Sequence, residues 1–95
     1  MTLPKPNSYP TKIYVSGEVY KIQFVKGMHD LGETDSEKRT IKIKYGMSPR
    51  ETLYTLVHEL IHAMEFEHGI PIKHKDVHRW EKAVSELIID NFLSM

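Results

Sequence analysis

The 95-residue chain contains no cysteine. That absence excludes disulfides and thiolate metal sites, and leaves histidine and carboxylate as the side chains able to bind zinc. Charge of one sign is also missing, since thirteen basic and thirteen acidic residues cancel. Without a basic footprint, nucleic acid is not an expected partner. No apolar run approaches the length needed to cross a bilayer, so no membrane span is expected. The opening residues, Met1-Thr2-Leu3-Pro4-Lys5-Pro6-Asn7, lack the apolar stretch of a secretory signal, and a soluble cytoplasmic protein is the expectation. A chain this short makes one small domain with a modest core, to which a bound metal would add stability.

Histidine is plentiful, with six residues. Two of them stand in His58-Glu59-Leu60-Ile61-His62, an H-E-x-x-H motif. On a helix, residues four apart share a face, so both imidazoles can converge on one ion. Glu59 is offset around the helix, where it can reach a metal-bound water rather than the metal. The surrounding residues are patterned for a helix. Leu53, Leu56, Val57, Leu60, Ile61 and Met64 form an apolar stripe centred near Val57 and Met64. His58 and His62 fall roughly 130–170° from that stripe. Two histidines merely solvated on a polar face would share this spacing; the intervening glutamate argues against that.

Residues 1–10 hold three prolines and read as an extended arm, with a single domain over 11–95. Residues 12–26 read as two strands joined by Ser16-Gly17, most simply a hairpin. Residues 27–39 are polar and read as a loop. Thr40–Tyr45 alternates apolar with basic, a strand with one buried face and lysines suited to a sheet edge. Ser48-Pro49, with Glu51 following, reads as an N-cap, a first-turn proline and a capping-box acid. The helix should run from about 49 to 67, stopped by Gly69 and Pro71. A final helix begins near Lys75 or Asp76 and continues to about Leu93. The expected fold is a small α+β domain, a short, mostly antiparallel sheet packed on the motif helix plus a C-terminal helix.

Catalytic zinc takes three protein ligands and keeps one open position. The candidates after His62 are His68, His74, His78, Glu81 and Glu86. His68 would lie beyond the helix end and around it from His62. The last helix has an apolar stripe of Val77, Trp80, Val84, Leu87 and Ile88. Glu81 sits on the shoulder of that stripe, roughly 70° from its centre, while Glu86 points away from the core. The helical-face argument favours Glu81, with His78 and His68 as alternatives. Taken alone, Glu81 would read as a surface carboxylate paired with Arg79 or Lys82.

The run Thr55–Ala63, preceded by the strand Ile41–Tyr45 and followed by Val77-His78-Arg79-Trp80-Glu81, resembles the gluzincin branch of zincin metallopeptidases. It is most similar to the minimal members, the minigluzincins, including phage and prophage proteins related to the ImmA/IrrE type. The resemblance covers roughly residues 38–92. It implies a zincin-like fold and a zinc metalloendopeptidase with one Zn2+ per chain, held by His58, His62 and Glu81. It also implies that strand 41–45 rims the cleft and pairs with an extended protein or peptide substrate. Glu59 would be the general base, and His74 or His78 would donate to the oxyanion. Two other functions compete. A zinc-stabilised binding or regulatory protein would have no use for Glu59, since a structural site is closed to water. A SprT-like peptidase of DNA–protein crosslinks would want a basic cluster that is absent here.

Overall fold

The computed structural model describes residues 9–93. Four strands, β1 (Lys12–Val15), β2 (Glu18–Val25), β3 (Gly32–Asp35) and β4 (Thr40–Lys44), precede two helices, α1 (Pro49–His68) and α2 (His74–Ile88). A π-helical turn, Ile89–Leu93, extends α2. The fold is α+β, as expected. Among the described residues, no helix is long and apolar enough to cross a membrane. Of the expected N-terminal arm, residues 1–8 lie outside the described residues. Tyr9, inside them, packs its ring 5.6 Å from that of Phe24.

The sheet order is β1-β2-β4-β3. The expected hairpin forms between β1 and β2, with Ser16 and Gly17 both at positive φ, 52° and 84°. Two positive φ values in succession make the turn whose twist matches that of the strands. The sheet is mixed, because β2 and β4 pair in parallel while β1–β2 and β3–β4 pair antiparallel. After β2 the chain crosses to the far edge as β3, then turns back into the middle as β4.

Two expectations need correction here. Residues 27–39 are not all loop, since Gly32–Asp35 form β3. Strand propensity is low in Gly-Glu-Thr-Asp, and no apolar alternation marks it, because one of its faces is solvated and the other meets a carboxylate. Nor is β4 a sheet edge. Both its sides are paired, so its lysines do not guard an edge and a substrate has no free backbone there to pair with. The free edge next to α1 belongs to β3.

Helix α1 begins as expected. The Ser48 hydroxyl accepts from the Glu51 N–H at 3.2 Å and donates to the Glu51 carboxylate at 3.0 Å. It ends at Gly69, whose φ of 64° lets its N–H turn back to the last carbonyls. The helix buries two stripes rather than one. Thr52, Leu56, Glu59 and Ala63 face the sheet, where Leu56 and Ala63 join Val15, Tyr20, Ile22, Ile41 and Ile43. Leu53, Val57 and Ile61 face α2, joining Val77 and Ile89. Met64 lies outside both and is 44% exposed, so the stripe does not centre on it. On α2, Trp80 and Leu87 are likewise exposed, and the buried residues are Val77 and Ser85. The inward face of α2 is therefore rotated from the predicted one, and Glu81 lies close to its middle.

One part-buried polar cluster ties the sheet to the C-terminal half of α1. Tyr20 is fully buried and donates to Glu67 at 2.5 Å, while Arg39 donates from Nε at 3.0 Å and from Nη2 at 3.2 Å. Burial, with help from Glu67, pushes the Tyr20 hydroxyl up to about 12. The Arg39 guanidinium, then the Tyr20 hydroxyl, holds the Glu67 carboxyl below its ordinary value of 4.5. A carboxyl lowered on folding stabilises the protein at neutral pH, and that contribution disappears as pH falls through its folded value. The denaturation midpoint should therefore drop as pH falls below about 4.5. Glu67→Gln should lower the midpoint at pH 7 and flatten the acid limb. Parallel acid limbs for the two proteins in urea titrations would count against this role.

Candidate metal centre

With one stripe of α1 on the sheet and another on α2, a third remains for polar side chains. His58 and His62 occupy it, roughly 110° from the middle of either buried stripe. They line a groove bounded by the β3 edge, α1 and the start of α2. On the His58 side is a cavity of about 290 Å³, lined by Asp30, Leu31, Gly32, Thr55, His58, Glu59, His78 and Glu81. On the His62 side, a more open cavity of about 520 Å³ includes Thr34, Glu59, His62 and Glu65. Glu59 lines both.

Glu59 is only 6% exposed and is held from β3. The Thr34 hydroxyl donates to its Oε1 at 2.8 Å and lies 3.1 Å from its carbonyl oxygen. This leaves Oε2 toward Gly32. There is no room for a side chain at position 32. A Cβ would stand 2.7 Å from the Thr55 methyl and 3.1 Å from both Cγ and Oε2 of Glu59. Glycine is what lets the edge strand pass this close to the carboxylate.

The two motif histidines are oriented by acids. His62 Nδ1 is 2.8 Å from Glu65, and His58 Nδ1 is 2.7 Å from Glu81. A carboxylate can only accept, so both rings carry a proton on Nδ1. Their Nε2 atoms face each other 3.1 Å apart. In neutral rings these are two lone pairs, which repel unless a cation lies between them. Two nitrogens bound to one tetrahedral zinc at ~2.05 Å would be roughly 3.3 Å apart. The His58–His62 spacing fits that, and neutral imidazoles with carboxylates suit zinc. Glu65 is itself anchored, accepting the Ile72 N–H at 2.8 Å. That N–H, more than the His62 ring, holds the Glu65 carboxyl below its ordinary value, against the opposing effect of burial.

The expected trio of His58, His62 and Glu81 does not converge in this arrangement. Glu81 comes to His58 as predicted, but on Nδ1, the far side of the ring from His62. Among the described residues, the trio whose ligand atoms lie within 4.8 Å of one another is His58, His78 and Glu81. The physical reason is level along the helix pair. After a short loop, α2 runs back along α1, so Glu81 and His78 reach the His58 end and His74 stands about equally far from both motif histidines. His74 and His78 stand at the groove, both exposed, with ring centres 4.9 Å apart. His78 is 5.4 Å from His58, and His74 is 6.0 Å from His58 and 6.4 Å from His62. His68 is elsewhere, bonded to Ser16 at 2.5 Å beside the β1–β2 turn. Glu86 is exposed.

Three residues of the site escaped the sequence reading. Thr34 and Gly32 lie on the strand that looked like loop. Glu65 lies at the end of the motif helix, outside the candidates considered after His62. Its spacing three residues after His62 was the available signal, since i and i+3 are neighbours on a helix. No family model matches the chain, and no curated protein or solved structure does.

Gly32→Ala should force β3 away from Glu59 or distort Thr55. Overpacking of this kind typically costs about 1–3 kcal/mol. A urea melt should show the midpoint falling accordingly; an unchanged midpoint would mean that the strand has slack at this point.

Proposed function

We propose that the chain is a zinc-dependent endopeptidase, with the ion held through Nε2 of His58 and His62. The observation that carries the reading is the pair of Nε2 atoms turned toward each other by Glu81 and Glu65, with a buried carboxylate of the same motif beside them. Bound zinc would supply Lewis acidity, polarising the scissile carbonyl and acidifying the attacking water.

The protein's own groups do the rest. Glu59 takes a proton from the water as it attacks and returns it to the leaving amine. Thr34 occupies one carboxylate oxygen of Glu59, which fixes its direction and leaves the other free to act. A substrate needs to be held extended across these groups, and the β3 edge can hold it. In an antiparallel ladder, alternate residues turn their backbone groups outward. Lys44 donates to the Leu31 carbonyl at 2.8 Å, so Leu31, Glu33 and Asp35 bond β4. Gly32 and Thr34 then direct their N–H and C=O groups to the groove, where a peptide can add as a further strand. This moves the substrate from strand 41–45 to β3. A protein or peptide substrate and a cytoplasmic location belong to the same reading.

Glu59→Gln keeps the size and hydrogen bonding of the side chain but removes the base. Zinc content and circular dichroism should match wild type, while cleavage of a peptide library falls at least ~10²-fold, the lower end of what a positioned base contributes. Equal rates in both proteins would reject Glu59 as base. Zinc bound by both with no cleavage by either would favour a non-catalytic, zinc-stabilised binding protein.

A further inference from the structure

The pattern at the motif helix occurs twice. On α1 it reads His58-x3-His62-x2-Glu65, and on α2 His74-x3-His78-x2-Glu81. Each set is i, i+4, i+7, which is one helix face. The helices run antiparallel and the two faces meet across the groove. The acid of the α2 set, Glu81, serves the other set as well as its own. Glu81 is 3.6 Å from His78 on its own helix and 2.7 Å from His58 on the other. Glu65 bonds His62 on its own helix at 2.8 Å.

We propose that α2 binds a divalent cation of its own through His74 and His78, with Glu81 beside His78, so that the saturated centre holds two ions. Four imidazole rings with neighbouring centres 4.7 to 6.4 Å apart are arranged for this. Two rings on one tetrahedral ion would have centres roughly 5 Å apart, and the His74–His78 pair, at 4.9 Å, meets that figure. His78 and Glu81 belong, with His58 rather than His74, to the trio of ligand atoms within 4.8 Å of one another. Electrostatics favours a second charge. Asp30, Glu59, Glu65 and Glu81 line the two cavities, and among the described residues no lysine or arginine does. The start of α2 opposes a cation with the positive end of its dipole, about half a unit charge, against these four carboxylates. His74 and His78 would then be ligands in place of the oxyanion donors expected from sequence.

This inference concerns α2 and can fail independently of the α1 reading. The test is zinc titration of the chelator-stripped full chain by calorimetry, with metal counted after dialysis. Wild type, His62→Ala and His78→Ala are compared. Exposure of 59% at the His78 side chain leaves the core unaffected by its truncation, and circular dichroism checks the fold of each variant. Two ions in wild type and one in each variant are expected. One ion in wild type, lost only in His62→Ala, overturns the α2 site and leaves the α1 reading intact. One ion lost only in His78→Ala supports an ion on α2 and overturns the α1 reading. A single ion lost in both variants is one shared site, and two ions retained by His78→Ala put the second elsewhere; either result overturns the proposal. No zinc in wild type overturns both.

Discussion

Helix α1 is packed on two sides, and everything at the groove follows from what that leaves. Its sheet-facing and α2-facing stripes each bury apolar residues, and together they fix its rotation. A one-residue rotation of α1 would turn Leu56 or Val57 out of a core while carrying His58 or His62 into one. Burying an unpaired imidazole and exposing a large aliphatic side chain are both unfavourable. The direction of the two histidines is thus held by hydrophobic residues that never touch them.

The same packing sets the depth of Glu59. It lies on the sheet-facing stripe, between Thr55 and Ala63, where an apolar residue would otherwise sit. A buried carboxylate is costly unless hydrogen-bonded, and the Thr34 hydroxyl supplies that bond. The supply depends on a strand with almost no strand character, held in place by β4 and by the missing side chain at Gly32. Edge strands usually need protection from unwanted pairing. Here the edge is short and flanked by Glu33 and Asp35, which suits selective pairing in a groove rather than sheet-to-sheet aggregation.

Acids around the histidines do a different job from Glu59. Glu65 and Glu81 accept from the outer ring nitrogens and so select the tautomer with Nε2 free. If the proposed zinc binds, such carboxylate–imidazole pairs would orient its histidine ligands and raise their basicity. The pairing also explains why Glu81 is close to His58 without sharing an ion with His62 in the same geometry. Glu67, two residues beyond Glu65, is engaged on the sheet side with Arg39 and Tyr20. Neighbouring acids on one helix therefore face different partners, because 100° per residue separates them.

Local pattern alone determined a good deal: the H-E-x-x-H face, the Ser48–Pro49 start and Gly69 stop of α1, the Ser16-Gly17 hairpin and the alternation of β4. These depend on capping, turn and periodicity preferences that act within a few residues. Helix-face geometry also brought Glu81 to His58, although the α2 stripe was read about a quarter-turn off. Apolar content was taken as burial, while Trp80 and Leu87 are exposed and the small Ser85 packs inward. Only the tertiary structure decided that β3 exists, that β4 is interior and that Thr34 and Gly32 belong to the site. It also decided which nitrogen of His58 Glu81 meets. Strand order and helix level are set by contacts such as Lys21–Thr40 and His58–Glu81, between residues distant in the chain, and no short window of sequence records the balance of burial and hydrogen bonding that selects them.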